Sequence, residues 1–155
     1  MLSIYDLYDL HAVLIRIRFN PENSINYDIV LRIKDVLVNK RNDNSSNQIR
    51  VELQKVDGLK DSGLYDFVYV ENVYSYYPLP FLKDKTIYDI LIDACNEMLC
   101  VIESKNSKQL ADLAECLHNL PIIIVDNNFS IPKSYWKNEI KCYRKIWNEK
   151  FLNRQ

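Results

Sequence analysis

Two residue types that build many catalytic sites are scarce in this chain. Its 155 residues include two glycines, Gly58 and Gly63, and two histidines, His11 and His118. Two glycines cannot form the glycine-rich loop that cradles a phosphate with backbone amides. Two histidines so far apart in sequence leave no cluster at the spacing of metal ligands. The sequence therefore predicts no phosphate-binding loop, no metal site and no cofactor.

Long apolar segments and closely spaced cysteines are missing too. No apolar run approaches the ~20 residues that span a bilayer, and the first residues, Met1–Asp6, lack the features of a signal peptide. Cys95, Cys100, Cys116 and Cys142 contain no Cys-x-x-Cys pair, which argues against a zinc site and favours buried, reduced thiols. These absences predict a soluble, cytoplasmic protein.

Charge is present in both signs but is distributed unevenly. Residues 1–130 carry 13 Lys and Arg against 19 Asp and Glu, a net charge of −6. Residues 131–155 carry 7 Lys and Arg against 2 Glu, a net charge of +5. Because net charge governs association with charged partners, we expect the acidic body to favour a basic partner.

Alternation of apolar and polar side chains in the first half predicts β-strands. Between Val13 and Phe19, for example, Arg16 and Arg18 alternate with apolar residues, which is the period of a half-buried antiparallel strand. The strand-like segments span residues 13–19, 29–34, 49–54 and 64–75. We therefore expect an antiparallel four-stranded meander within a β-rich region of residues 1–77.

The second half changes to a helical period. Ile87, Ile90 and Leu91 begin a series of apolar residues spaced by three and four, and the same spacing recurs to the end of the chain. Residues 84–153 are therefore predicted to form about three helices. Strands followed by helices predict a single α+β domain over residues 1–155, with the helices packed on the apolar face of the meander.

The two histidines are the first candidates for catalysis. On a helix, His118 lies within reach of Glu115 or Asp112, a pairing that a small enzyme would use for proton transfer. A pocket that also contained His11 would favour that enzyme. However, a histidine at a helix end is well placed to cap the free carbonyls, and His11 is predicted at a strand end, bonded to backbone. We favour these structural roles, so the sequence predicts no catalytic residue and no enzyme.

Paired carboxylates are the second candidates for catalysis. Asp57 with Asp61, and Asp6 with Asp9, have spacings that glycoside or phosphodiester chemistry could use. The same spacings are common on any acidic surface. We interpret both pairs as solvated side chains.

The basic C-terminal segment has an alternative interpretation as a nucleic-acid-binding helix. Residues 133–154 interleave Lys and Arg with aromatic residues, which can hold phosphates and stack on bases. Helical spacing places the apolar residues of this segment on one face, which is also what core packing requires. These residues are Trp136, Ile140, Tyr143, Trp147 and Phe151. Core packing fits better, because the acidic body repels nucleic acid. A nucleic-acid-binding regulator is the alternative function.

Tyrosine is abundant, with eleven in the chain. Several tyrosines cluster with acidic residues around the predicted fourth strand. Tyrosine brings a large, rigid, amphipathic surface and is enriched at interfaces, although it also suits strands. The predicted partner-binding residues are Asp61, Tyr65, Asp66, Tyr69, Glu71, Tyr74, Tyr76 and Tyr77.

Parts of the sequence resemble a known class of bacterial proteins. The run Leu110–Pro121, followed by Ser134–Trp136 and Tyr143–Leu152, is similar to small proteins encoded beside polymorphic or contact-dependent growth inhibition toxins. Tyr8–His11, leading into an alternating segment, resembles the opening of other β-rich immunity-like domains. The resemblance implies an immunity protein that is cytoplasmic, non-catalytic and specific for one cognate toxin domain.

The expected function is stoichiometric inhibition of a toxin. A cationic nuclease at the C-terminus of the toxin would match the acidic body of this chain. Complementary charge would speed association, and buried aromatic residues would slow release. We expect neither nucleic acid nor membrane as a partner, and the sequence leaves the oligomeric state open.

Overall fold

The computed structural model describes residues 2–44, 47–59, 81–82 and 84–138, and these residues are mainly helical. In chain order the elements are β1 (Leu2–Ser3), α1 (Ile4–Phe19), α2 (Asn26–Arg41), α3 (Ile49–Leu53), β2 (Phe81–Leu82), α4 (Lys85–Glu103), α5 (Ser107–Leu117), α6 (Leu120–Asp126) and α7 (Lys133–Asn138). Short turns join α1 to α2, α4 to α5 and α5 to α6.

The two short strands form an antiparallel pair. Leu2 faces Leu82 and Ser3 faces Phe81. The backbone N–H of Leu2 also donates a hydrogen bond of 2.6 Å to the hydroxyl of Tyr88, which lies in the first turn of α4. The start of α1 is thereby attached to the start of α4.

The prediction of an α+β domain with a β-rich region over residues 1–77 is wrong. The segments 13–19 and 29–34, predicted as strands, lie in α1 and α2, and the predicted strand 49–54 is α3 with Gln54 as its C-terminal cap. The fourth predicted strand, residues 64–75, lies outside the described residues. In α1 the buried positions follow a helical spacing, and Phe19, which the meander would have buried, is 67% exposed.

A capping box explains why α1 begins at Ile4. The hydroxyl of Ser3 accepts a hydrogen bond of 3.4 Å from the backbone N–H of Asp6, and the Asp6 carboxylate accepts one of 3.0 Å from the N–H of Ser3. This reciprocal pair satisfies two amides that a helix start leaves without partners. Arg16 and Arg18 in the last turn suit the opposite end of the helix dipole.

The helices of the first half pack mainly on helices of the second. α1 contacts α5 and α6, while α2 contacts α3 and α4. The buried side chains form one hydrophobic cluster that includes residues of every helix from α1 to α7. Because the two halves share this cluster, residues 84–138 complete the core that α1 and α2 begin.

The cysteines differ in their environments. Cys95 is buried, and burial raises the pKa of its thiol to about 12, whereas Cys100 is free and exposed. Cys116 is disulfide-bonded, so the expectation of four reduced thiols is wrong at this residue. Cys142 lies outside the described residues.

The length and polarity of the helices bear on membrane insertion. Of the helices that the structure describes, none combines the length and the apolar character needed to cross a bilayer.

Candidate functional site: a histidine pair between α1 and α5

The packing of α1 on α5 brings the two histidines together. His11 lies on α1, and His118 is the C-terminal cap of α5. The ring centroids are 5.9 Å apart, and the ring planes are inclined by 32°. Both residues are partly exposed, so the pair lies at the surface of the groove between the helices.

Each imidazole binds a backbone carbonyl near the end of α5 through Nδ1. Nδ1 of His11 bonds to the carbonyl oxygen of His118, and Nδ1 of His118 lies 2.6 Å from the carbonyl oxygen of Glu115. A carbonyl only accepts, so each Nδ1 carries a proton. The capping role predicted for His118 is confirmed. His11 does bind backbone, but from the middle of a helix and not from a strand end.

The carboxylate nearest in sequence to His118 has another partner. Oε1 of Glu115 lies 3.2 Å from Nη2 of Arg18 on α1. The same guanidinium lies 5.2 Å from the centroid of the Phe19 ring. The pairing of His118 with Glu115 that an acid–base enzyme would use is therefore replaced by an ion pair across the two helices.

The end of α5 is also fixed from its other side. The buried Tyr135 of α7 donates a hydrogen bond of 3.1 Å from its hydroxyl to the carbonyl oxygen of Cys116. The carbonyls of Glu115, Cys116 and His118 are thus each held by a side chain. This anchoring fixes the backbone that orients both imidazoles.

A second polar cluster lies inside the protein and contains Asp6, which we had interpreted as solvated. Asp6 is 0% exposed. Besides Ser3, its carboxylate accepts a hydrogen bond of 2.9 Å from the N–H of Ile49, and it lies 3.7 Å from Nζ of Lys40. The carboxylate therefore connects α1 with the start of α3 and with α2, which is a structural role.

Asp9, one turn later on α1, is also buried rather than solvated. Its two carboxylate oxygens lie 3.2 and 3.1 Å from Nε and Nη2 of Arg50. The guanidinium also lies 5.4 Å from the centroid of the Tyr5 ring. This two-point contact fixes α3 against α1.

The pKa values of Asp9 and Arg50 reflect two opposing influences, which are burial and the attraction between the two charges. Burial raises the pKa of the Asp9 carboxyl, and this outweighs the hydrogen bond and charge of Arg50, which lower it. The hydrogen bond that Arg50 donates to Asp9 is the main cause of a raised pKa at Arg50. Both carboxylate oxygens accept hydrogen bonds from the guanidinium, which favours the ionised form of Asp9.

We expect the Arg50→Gln variant to raise the pKa of Asp9 further, because it removes the lowering influence of Arg50. In the native protein Asp9 should titrate above its usual 3.8. A raised folded-state pKa means that the contribution of Asp9 to stability is largest below pH 3.8 and falls as the pH rises through the folded-state pKa. Carboxyl ¹³C NMR titration measures the pKa of each variant.

The matched control for this titration is Arg41→Gln. Arg41 donates a hydrogen bond of 2.7 Å to Asp89, away from Asp9. This variant should leave the Asp9 titration unchanged. A lower Asp9 pKa in Arg50→Gln would contradict the assigned roles of burial and attraction.

The predicted partner-binding surface lies outside the described residues. All eight of its members fall within residues 60–80, and residues 139–155 of the basic segment are also outside. Asp57 is described and is exposed, as expected of a solvated carboxylate. The eight residues are Asp61, Tyr65, Asp66, Tyr69, Glu71, Tyr74, Tyr76 and Tyr77.

An open cavity of about 290 Å³ lies at the opposite end of α1 from its capping box. It is bordered by the turn at Pro21, by Ile102 and Lys105 at the end of α4, and by Leu110 of α5. Sequence analysis did not predict it, because no motif marks a groove formed by two turns. Its mixed lining has no concentration of one charge.

Neither a metal-ligand cluster in the described residues nor a similarity to known proteins assigns a function. Within the described part of the chain, no three or more His, Cys, Asp or Glu side chains are grouped so that they could hold a metal ion. No protein-family model, curated protein or solved structure matches the chain.

Proposed function

We propose that the protein is an immunity protein, which binds a cognate toxin domain one to one and blocks its activity. The observation that carries the proposal is the composition of residues 61–77. This segment contains five tyrosines and three acidic residues, and it contains no Lys or Arg. Tyrosine gives a contact surface at low entropic cost, and the carboxylates select a basic partner.

The charge of the remaining body supports the same partner chemistry. Residues 1–130 have a net charge of −6, of which residues 61–77 contribute −3 and the other residues −3. Two ion pairs lie in the interior, Asp6 with Lys40 and Asp9 with Arg50. Each combines one negative and one positive charge, so neither contributes to the net charge. The excess of negative charge therefore comes from the other ionisable residues. A cationic toxin, such as a nuclease that attracts phosphate, would be steered towards this body.

The resemblance of residues 110–121, 134–136 and 143–152 to proteins encoded beside polymorphic or contact-dependent toxins supports the class of partner. Inhibitors of this class act by occupying a surface, so a stable complex needs an interface of at least ~1,000 Å². We place the protein in the cytoplasm, where it would meet an incoming toxin.

The test is charge reversal within the proposed surface. The double variant Asp66→Lys, Glu71→Lys should weaken binding of the toxin domain by at least ~100-fold, because charge pairs at a desolvated interface couple by several kcal/mol. The binding partner for this test is the C-terminal domain of a secreted toxin, which the proposal expects to be encoded next to this gene. Isothermal titration calorimetry measures affinity and stoichiometry, and far-UV circular dichroism checks folding.

The control reverses two acids on exposed helix positions, as Asp35→Lys, Asp112→Lys. This variant has the same change of charge and should bind with little loss beyond a slower association. Full affinity in the Asp66, Glu71 variant would exclude the proposed surface. Salt-dependent binding of nucleic acid by the native protein, with no toxin binding, would instead favour the regulator.

A further inference from the structure

We propose that His11 and His118 form a binding site for one divalent transition-metal ion of the Zn²⁺, Ni²⁺ and Cu²⁺ class. The site lies at the surface between α1 and α5, and it does not depend on the proposed immunity function. Two histidines are its protein ligands, and solvent fills the remaining positions. It joins two helices whose ligands are 107 residues apart in sequence.

The hydrogen bonds of the two rings place them in the protonation state that a metal needs. Nδ1 of each ring is bonded to a backbone carbonyl and so holds the proton of the neutral imidazole. The lone pair is then on Nε2 of each ring. A metal-binding histidine usually donates its other ring N–H to a carbonyl or carboxylate in this way, which fixes the ring and raises its basicity.

The separation of the rings suits a shared ion. Bonds of about 2.0–2.1 Å from zinc to imidazole nitrogen place two such nitrogens within about 4 Å of each other. Each Nε2 lies at the edge of its ring, so centroids 5.9 Å apart are compatible with this separation when the two Nε2 edges face one another.

The neighbouring charges do not oppose a cation. The positive charge of Arg18 on α1 is paired with the carboxylate of Glu115 at 3.2 Å. Imidazole ligands select Zn²⁺, Cu²⁺ and Ni²⁺, whereas Mg²⁺ and Ca²⁺ prefer oxygen ligands. The site should therefore discriminate between these two groups of ions.

Calorimetric titration of the untagged protein with NiCl₂, ZnCl₂ and CuCl₂ tests the site. We expect one ion per chain and no uptake of Mg²⁺. His11→Gln and His118→Gln should each reduce affinity at least ~10-fold, since even loss of an outer-shell partner costs 10–100-fold, and the double variant should not bind. Cys100→Ser removes the exposed thiol and should bind as the native protein does.

Two further measurements keep the test decisive if a histidine variant folds poorly. Saturating Zn²⁺ should raise the melting temperature of the native protein, because a ligand of the folded state stabilises it, and EDTA should reverse the rise. Pulsed electron paramagnetic resonance of the Cu²⁺ complex should show two imidazole nitrogens. Absence of binding, a spectrum with fewer than two imidazoles, or full binding by the folded double variant would overturn the proposal.

Discussion

Replacing Asp6 with alanine should lower the free energy of unfolding by about 3–5 kcal/mol, the usual cost of removing one partner from a buried charged cluster. The carboxylate is 0% exposed and accepts from the N–H groups of Ile49 and Ser3 at 2.9 and 3.0 Å. Alanine deprives both amides of this acceptor and removes the negative charge beside Lys40. Urea denaturation followed by circular dichroism measures the loss.

Two variants separate this effect from a general loss of charge. Asp35→Ala removes an exposed carboxylate from α2 and should change stability by less than ~0.5 kcal/mol. Asp6→Asn keeps one acceptor oxygen and should lie between the native protein and Asp6→Ala. Equal losses in Asp6→Ala and Asp35→Ala would mean that Asp6 does not connect the helices as described.

Leu113→Ala should cost about 2–5 kcal/mol, which is the range for removing a large aliphatic side chain from a packed core. Leu113 is 0% exposed and lies on α5, the helix that packs on α1. The loss has two parts, the transfer free energy of the removed methyl and methylene groups and the cavity that remains. Thermal and urea unfolding, monitored at the same wavelength, measure the change.

The control for core packing is Val51→Ala on α3. Val51 is 38% exposed, so its truncation creates no enclosed cavity and should cost less than ~1 kcal/mol. A small loss for Leu113→Ala, comparable with that for Val51→Ala, would place Leu113 outside the core. That result would contradict the packing of α1 on α5 and, with it, the meeting of the two histidines.

Sequence periodicity predicted that residues 84–138 are helical, although they contain four helices where about three were expected over 84–153, and it failed in the first half. In α1, residues 13–19 alternate because apolar side chains occupy nearly every position that the arginines do not. Burial is set instead by positions such as Leu7, Leu10, Leu14 and Ile17, which recur every three or four residues. Short segments rich in Val and Ile fit both the alternating pattern of a strand and the three-to-four-residue spacing of a helix. A longer window beginning at the capping box would have favoured the helix.

The candidate site could be predicted only in part. The cap formed by His118 follows from local sequence, since a side chain near a helix end meets the free carbonyls of its own last turn. The approach of His11 to His118 depends on how α1 packs against α5, and no local pattern encodes it. The burial of Asp6 and Asp9 was missed for the same reason, because their partners on α2 and α3 are 34 or more residues away in sequence.

The arrangement in which α1 packs on α5 and α6 has a consequence for how the chain reaches its native state. During synthesis α1 leaves the ribosome long before its packing partners have been made. Contacts between residues so distant in sequence slow folding, because the intervening chain must first be closed into a loop. Until then the apolar side of α1 is exposed, and exposed apolar surface of this kind favours aggregation of incompletely folded chains.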